Sequence, residues 1–494
     1  MEKTNEKENP NKLIQDRLRK LNDLRELNVN PYPYSYQPTH KAKDINEKYA
    51  GLKAEEETKD NVKVAGRIMQ LRNMGKICFI HLMDSTGKVQ LYLRKEDLGD
   101  NYKLLKKLDL GDFIGAEGHI FKTKMGEVTV YTKNFEVLCK SLRPLPEKYH
   151  GLQDVEIRYR KRYLDLITNP NIRDTFVTRS KIIKGIRNYL DDRGYVEVQV
   201  PMLQPIYGGA AARPFNTHHN DLDMPLYLKI SPELYLKRLI VGGFDKVYDI
   251  SYNFRNEGTD TNHNPEFTMI EWYEAYADYN DMMRMTEELV SGLVKELHGS
   301  TKLTYQGTEL DFTMPWRRLK MKDAIKEYAD IDIDDYDDEQ IKELIDTYNL
   351  EYHGDVTRGG IVQVLFEELA EDKLIQPTFI IDHPVEVSPL TKIHRTDKGF
   401  VERFELFINK MELANAYSEL NDPIDQKNRL EEQEASRAVD DEAHPMDEDF
   451  VEAIETGMPP TGGIGIGVDR LVMILTDSPS IRDVILFPTM KPQD

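Results

Sequence analysis

Ile14, Leu18, Leu21, Leu24 and Leu27 recur at helical spacing, with Lys12, Arg17, Arg19, Lys20 and Arg25 set among them. Residues 11–28 therefore predict an amphipathic helix with a basic polar side. Asn30-Pro31-Tyr32-Pro33 stops it, because a residue before proline is pushed out of the helical region. Such a helix serves either to contact phosphates or to pack on the domain that follows, and the pattern leaves both open. From about 60 to 140 the period shortens to two. Val62-Lys63-Val64 alternates, residues 77–82 form a second run and Val89-Gln90-Leu91-Tyr92-Leu93 a third, with Ser85-Thr86-Gly87-Lys88 as the turn between the last two. Residues 98–108 read as a short helix, and strands near 113–121 and 128–131 follow around Lys124-Met125-Gly126. Five short strands with one helix between the third and fourth are the order of an OB barrel, with another small barrel left open. Strand parity turns Cys78, Ile80, Leu82, Val89, Leu91 and Leu93 inward and Phe79, His81, Gln90 and Tyr92 outward. An exposed aromatic beside an exposed amide suits stacking on unpaired bases and reading their edges, or is a scattered surface aromatic without a role.

After Pro144-Leu145-Pro146 and the basic stretch at 158–162, helices and strands mix to the C-terminus. A helix is expected at about 173–192, and strands near 227–231, 247–255, 267–275, 379–382, 403–419 and 464–468. Residues 280–375 look mainly helical. Helices and strands do not alternate as βαβ units, so the expected architecture is α+β, a large domain on an antiparallel sheet flanked by helices.

The chain has 494 residues, enough for about three folding units and at least two. No apolar run approaches the ~20 residues that span a bilayer, and MEKTNEKENPNK has neither a signal core nor transit-peptide character, so a soluble cytoplasmic protein without a membrane partner is expected. Cys78 and Cys139 are too few for a disulfide scaffold or a Cys-rich metal site. The balance of 66 basic against 87 acidic residues, a net of −21, excludes a generally basic nucleic-acid coat but not a local contact patch. Much of the acid is concentrated: residues 431–455 hold eleven Asp or Glu and one Arg, and residues 330–339 form another acidic run, both read as solvated surface.

No GxxxxGK[ST] occurs, and no GxGxxG stands between a strand and a helix. Gly462-Gly463-Ile464-Gly465-Ile466-Gly467 instead predicts a strand with one bare face, where a flat ligand approaches the backbone. Asp469 is placed to cap the helix that follows, and Arg470 in its first turn adds a fixed positive charge to the helix dipole, as a triphosphate requires. The alternative is close helix–sheet packing. Two strands near 248–254 and 267–273, joined by a polar loop, bring Arg255, Phe267, Glu271 and Tyr273 together: an Arg for an oxyanion, an aromatic face for a purine, a Glu for an ammonium. A salt-bridged hairpin is the structural reading of the same pattern. Downstream, Asn415, Tyr417 and Glu419 share parity, whereas Glu412 needs a bulge to point with them. Carboxylates converging on a triphosphate repel it unless Mg²⁺ intervenes, so Glu405 and Glu412 are candidate metal ligands. His218-His219 has no third ligand nearby and is read as loop or core.

Phe254-Arg255-Asn256-Glu257 with His263-Asn264-Pro265-Glu266-Phe267 resembles motif 2 of class II aminoacyl-tRNA synthetases, and the segment from Gly463 to Arg470 resembles their motif 3. Tyr195-Val196-Glu197-Val198-Gln199-Val200-Pro201 resembles motif 1, whose proline lies at the family's dimer interface. Within the class, Ala211-Ala212-Arg213-Pro214-Phe215, Ser231-Pro232-Glu233-Leu234-Tyr235-Leu236-Lys237 and residues 415–421 resemble the lysyl-tRNA synthetases. An aspartyl- or asparaginyl-type enzyme would offer cationic or amide partners where Glu233 and Glu419 stand. A tRNA-independent lysine ligase would have little need of the barrel, and a catalytically silent paralogue would have no use for the complete set of charged residues.

The resemblance implies a lead-in at 1–58, an OB-fold anticodon-binding domain at 59–142, a linker at 143–172 and a class II catalytic domain at 173–494. Within the last it places motif 1 at about 180–201, motif 2 at about 247–275, a helical insertion at about 280–375 and motif 3 at about 462–488. It implies a lysine–tRNA ligase working as a homodimer on L-lysine, ATP and tRNA(Lys), with Mg²⁺. Arg255 and Arg470 would be catalytic. ATP would be bound by Arg255, Glu257, His263, Asn264, Phe267, Glu405, Glu412 and Arg470, with Mg²⁺ on Glu405 and Glu412. Lysine would be bound by Gly209, Glu233, Arg255, Glu271, Tyr273, Asn415, Tyr417 and Glu419, and the anticodon by Arg72, Phe79, Gln90 and Glu127. Ala414 and Ala416 stand where glycines are common in bacterial relatives, which would narrow the lysine pocket.

Overall fold

The structure is a computed structural model that describes residues 10–146, 152, 154–352, 356–437 and 445–493. Parts of several expected segments lie outside the described residues: 1–9 of the lead-in, 147–151 and 153 of the linker, 353–355 of the insertion, 438–444 of the acidic run, and residue 494. The chain forms two compact units, Met1–Gly151 and Leu152–Asp494.

In the first unit, β1 (Glu57–Asn73), β2 (Ile77–Met83), β3 (Lys88–Arg94), β4 (Phe113–Lys122) and β5 (Val128–Cys139) close a barrel in the order β1-β2-β3-β5-β4. The helical segment between the third and fourth strands is a short α turn, Lys95–Leu98, running into a 3₁₀ stretch, Gly99–Lys107. This is the OB-fold order expected from the pattern. Cys78, Ile80, Leu82, Val89, Leu91 and Leu93 fill the interior, as the alternation requires. The basic helix α1 (Pro10–Glu26) packs on this unit by burying Leu21 and Leu24. Its Arg17 is also buried, and the guanidinium donates to the carbonyls of Leu110, Ser141 and Arg143 at 3.0–3.2 Å. Lys12, Arg19 and Arg25 stay exposed, so one face packs while the other remains basic. Leu27, counted in the apolar stripe, lies past the helix end and is 56% exposed.

The second unit is built on β6 (Val196–Glu197), β7 (Lys246–Phe254), β8 (Glu266–Ala275), β9 (Arg317–Lys320), β10 (Thr378–Pro384), β11 (Phe400–Ile408), β12 (Met411–Ser418) and β13 (Thr461–Gly467). They form one sheet in the order β9-β10-β11-β12-β13-β8-β7-β6, antiparallel except for the outermost pairs β9–β10 and β7–β6. One face is covered by α2 (Pro170–Asp191), α4 (Tyr279–His298) and α5 (Val468–Leu475), whose side chains pack with Trp272, Ile270, Phe404, Ala416, Ile464 and Ile466. The helix α3 (Glu233–Val241) belongs to a second apolar cluster with Val247, Tyr273 and Phe450. The start of α4 follows from Asp278, whose carboxylate accepts the amides of Asn280 and Asp281 while Asp281 returns a bond to the Asp278 amide. Gly299 ends it in the left-handed region at φ +72°.

The segment at 280–375 is mainly helical, as its pattern predicts. It also contains a hairpin, Lys302–Tyr305 with Thr308–Asp311, and β9, which pairs parallel to β10 at the sheet's edge. Its helices after residue 320 share a core with Ile380 and Phe407 of that sheet. A four-residue edge strand carries too little period-two signal to be read from sequence, and continuity with the sheet keeps the insertion within the second unit.

Candidate active site

The face of the sheet opposite α2 and α4 carries the chemistry, and strand register explains how. Glu405, Asn415, Gly465 and Glu271 are successive partners across β11, β12, β13 and β8. Two residues along, Arg403, Tyr417, Gly463 and Tyr273 form a second row. Alternation puts both rows on one face, and the central strand contributes only glycine to them, leaving a bare floor between walls of charged side chains. A Cβ at Gly463 would overlap Glu419 Oε1 and the Tyr273 ring, and one at Gly465 would lie 2.7 Å from Met269 Cε.

These rows border a cavity of about 380 Å³. Its lining includes Gly209, Glu233, Arg255, Glu257, His263, Asn264, Phe267, Glu271, Tyr273, Glu405, Glu412, Asn415, Tyr417 and Arg470. Glu419 lies immediately behind, against the bare side of Gly463. Glu412 reaches the cavity through a step in pairing: Leu406 faces Ala414 but Phe407 faces Glu412, so Leu413 is the extra residue of a bulge. Gly209 adopts φ +87°, where a Cβ would also press within 2.8 Å of Glu233 Cβ and Ser231 Oγ.

One end of the cavity is cationic. The Arg255 guanidinium stands 5.2 Å from the Phe267 ring centroid, and its buried Nε has no hydrogen-bond partner. Arg470 donates to the Glu412 carbonyl at 2.6 Å and meets His263 Nε2 at 2.9 Å, and Asp260 holds the other ring nitrogen at 2.8 Å. Asp469 does not cap its own helix, whose N-cap position is Gly467. Its carboxylate accepts the Thr268 amide at 2.6 Å and pairs with Arg179, tying α5 to β8 and α2. That leaves Arg470, one residue on, free to turn to the cavity. Glu405 accepts from Arg403 at 2.6 Å, and burial together with the Glu405 charge raises the Glu412 pKa. Two carboxylates that repel each other beside an arginine pair suit a hard divalent cation bound jointly with phosphate oxygens. Among the described residues no group of three or more His, Cys, Asp or Glu forms a metal cluster. His218 pairs with Asp223 and the ring of His219 accepts the Leu222 amide, both away from the cavity.

The other end is acidic and buried. Glu233, Glu271 and Glu419 are 3%, 4% and 1% exposed. Burial, then the Glu233 charge, pushes the Glu271 pKa up to about 8, although Ser231 and Tyr273 donate to it at 2.8 and 3.1 Å. Burial pushes Glu419 up to about 8 as well, against the pull of Lys237. Burial and the same acids raise the Tyr273 hydroxyl well above its ordinary value, so it remains a donor. Glu419 Oε1 has no hydrogen-bond partner. A buried carboxylate oxygen without a partner is costly, which marks this end for a cation.

Sequence reasoning missed two organising cations. Lys237 is fully buried behind Glu233 and Glu419, and Arg403 donates to Glu405, to Asn415 Oδ1 and to the Val387 backbone carbonyl. Both stood within recognised segments, but nothing local marks a lysine or arginine as inward-facing. Ala416 packs on the helical side with Ile464 rather than narrowing the cavity, whereas Ala414 touches it.

In the barrel, Arg72 pairs across strands with Phe79, whose ring lies 5.1 Å from Tyr92. Gln90 differs from its expected exposure: it is 8% exposed, donating to Glu127 at 2.5 Å and accepting from Thr129 at 3.0 Å. His81 also bonds Glu127, at 2.7 Å. The neighbouring strand closes over the amide, which alternation within β3 alone does not reveal.

Residues 154–491 match the family of tRNA synthetases class II (D, K and N), and residues 62–138 match the OB-fold nucleic acid binding domain. The second unit thus belongs by its family match to the class II synthetases and has an antiparallel-rich sheet at its centre. The lysine–tRNA ligase of Clostridium perfringens is 55% identical over 484 residues, covering 97% of this chain and 96% of the relative. That of Carboxydothermus hydrogenoformans is 54% identical over 98% of this chain and 99% of the relative, and that of Pelotomaculum thermopropionicum 54% over 100% and 98%. The chain belongs to the lysine–tRNA ligase family of class II tRNA synthetases.

Proposed function

We propose that the chain activates L-lysine with ATP to lysyl-adenylate, releasing pyrophosphate, and then transfers the lysyl group to the 3′ end of tRNA(Lys), releasing AMP. The observation that carries this reading is the polarity of one cavity, cationic at Arg255 and Arg470 and acidic at Glu233, Glu271 and Glu419. A diammonium amino acid laid along it puts its ε-ammonium among Glu233, Tyr273 and Glu419, with Asn415 and Tyr417 alongside. Its α-ammonium then meets Glu271 and the Gly209 backbone, and its carboxylate faces Arg255. Adenine lies between Phe267 and Arg470, with Glu257 at its amino group and His263 and Asn264 towards the phosphates. The lysine carboxylate attacks the α-phosphorus in line, and the terminal ribose hydroxyl of tRNA later attacks the carbonyl carbon. No protein nucleophile is required. Arg255 and Arg470 act by holding the reactants and neutralising charge as it develops. Glu405 and Glu412 would hold Mg²⁺, which supplies charge neutralisation on the phosphates.

We further propose that Arg72, Phe79, Gln90 and Glu127 read the anticodon. We also assign the chain to the cytoplasm; among the described residues no helix is long and apolar enough to cross a membrane. A homodimer is supported by apolar side chains in and around the motif 1 segment, where Val177, Val196, Leu203 and Phe244 are 42–48% exposed.

The test is ATP–pyrophosphate exchange with each standard amino acid in turn. Exchange with lysine alone is expected, whereas exchange with aspartate or asparagine overturns the substrate. Phe79→Ala is expected to raise the tRNA KM in charging by about tenfold, since one stacked base is worth ~1–3 kcal/mol, and to leave exchange unchanged. Gly463→Ala is expected to raise the lysine KM by about tenfold or more with the ATP KM little altered, because the new methyl displaces Glu419 or Tyr273. Equal effects on both KM values would place the damage elsewhere.

The raised carboxyls of Glu271 and Glu419 also make stability depend on pH. Between their ordinary 4.5 and about 8, the folded chain holds protons that the unfolded chain has lost. Stability of the ligand-free protein should therefore fall as pH rises through that window and level off above it. Lysine binds the ionised acids, so the increase in Tm that it causes should grow with pH over the same interval. Thermal melts with and without lysine read both trends, and a lysine shift that does not change with pH contradicts the assignment.

A further inference from the structure

Lys237 stands on the second turn of α3, one turn after Glu233, and is completely buried. Its ammonium lies 2.6 Å from Glu233 Oε1 and 2.5 Å from Glu419 Oε2, so it bridges a helix and the end of β12. The Phe450 ring lies 6.0 Å from the same nitrogen, and Leu236, Ile240 and Val247 belong to the apolar cluster around it. Burial opposes a charge there, yet the two carboxylates outweigh it and raise the lysine pKa above its ordinary value. It is an ammonium held permanently where an ammonium ligand is expected to bind, but from behind the carboxylates rather than from the cavity.

The charges around it form a closed set. Lys229 is paired with Asp249 at 2.9 Å, and Arg403 with Glu405 at 2.6 Å, so each contacts an acid outside the wall, and Lys229 only weakly offsets the effect of burial on Glu271. The wall contributes Glu233, Glu271 and Glu419, with Tyr273 and Tyr417 beside them as neutral hydroxyls. Among the described residues, one cation is in contact with these acids, Lys237. With all three acids ionised around a bound ligand, Lys237 leaves two negative charges, the number of ammonium groups on free lysine. Resting on the lysine-binding reading above, we propose that Lys237 is the positioning residue of the ammonium subsite. It ties one oxygen of Glu233 and one of Glu419, leaves Glu419 Oε1 for the ligand, and trims the wall's charge to what a diammonium ligand neutralises.

Without that ammonium the wall holds a third acid that bound lysine cannot match, and an unmatched buried carboxylate takes up a proton instead. Isothermal titration of wild type, Lys237→Met, Lys237→Gln and Lys237→Arg with L-lysine and separately with ATP tests this. It is run near pH ~7.5 in two buffers of unlike ionisation enthalpy, which also counts protons exchanged on binding. The neutral variants are expected to bind lysine about tenfold or more weakly, to exchange about one proton differently from wild type, and to bind ATP within about twofold of it. Lys237→Arg is expected to restore the proton count and most of the affinity. A folded neutral variant with unchanged lysine affinity and proton count overturns the proposal, as do equal losses for lysine and ATP. So does failure of both neutral variants to fold where Lys237→Arg folds, because the charge then serves the fold and not the subsite. Wild-type protein that fails to bind lysine would instead remove the ligand reading on which the proposal rests.

Discussion

Arg255→Ala is expected to lower lysine-dependent ATP–pyrophosphate exchange by roughly 10²-fold or more in a protein that still folds, since a single donor to developing charge carries that much. The structure gives the reason. Arg255 projects just beyond the end of β7, its guanidinium held over Phe267, with its buried Nε lacking a hydrogen-bond partner. It is preorganised for an anion that the protein does not itself provide. Across the cavity Glu412 and Glu405 repel incoming phosphate, and burial with their mutual charge already raises Glu412. Removing Arg255 therefore subtracts the cation proposed to meet the lysine carboxylate and leaves Arg403 and Arg470 to oppose the acids. Arg255→Lys should recover little, because a point charge replaces neither the forked donors nor the stacked plane. Pre-steady-state adenylate formation is the measurement that isolates the step. A folded Arg255→Ala variant with near-normal turnover would remove Arg255 from the reaction.

Glu419→Gln is expected to lower kcat/KM for lysine by roughly 10³-fold, with the ATP KM nearly unchanged. Glu419 is 1% exposed, its Oε1 is unpaired, and its Oε2 meets Lys237. An amide keeps the shape but presents no negative charge to the ε-ammonium, and its NH₂ group opposes either Lys237 or the ligand. A desolvated ammonium facing a neutral amide loses a charge-assisted bond worth several times a neutral one. Steady-state kinetics with lysine varied at saturating ATP measures the loss. A change confined to kcat, with the lysine KM intact, would move Glu419 out of the binding subsite.

Much of this was legible without coordinates, and for a local reason. The barrel's inward residues, from Cys78 to Leu93, follow from alternation that each strand displays by itself. Gly463, Gly465 and Gly467 announce a bare strand face because glycine at every second position has few other uses in a sheet. The need for a bulge beside Glu412 followed from parity alone, and Leu413 supplies it. Arg255, Phe267, Glu271 and Tyr273 were grouped from the spacing of one hairpin, which its register then aligns with Gly463 and Gly465.

What the sequence by itself determined is therefore the set of strand faces and the residues grouped on them, because these depend on spacing within short segments, while the resemblance of its motifs supplied the family and cavity residues such as Gly209, Glu233 and His263. The tertiary structure alone decided which charges are matched. It put Lys237 against Glu419, turned Asp469 from its own helix to Thr268 and Arg179, buried Gln90 on Glu127, and drew residues 317–320 into the sheet's edge. Each joins segments distant in the chain, and burial of a polar group depends on what neighbouring elements bring to it. Periodicity along one segment carries no record of the partner that another segment will supply.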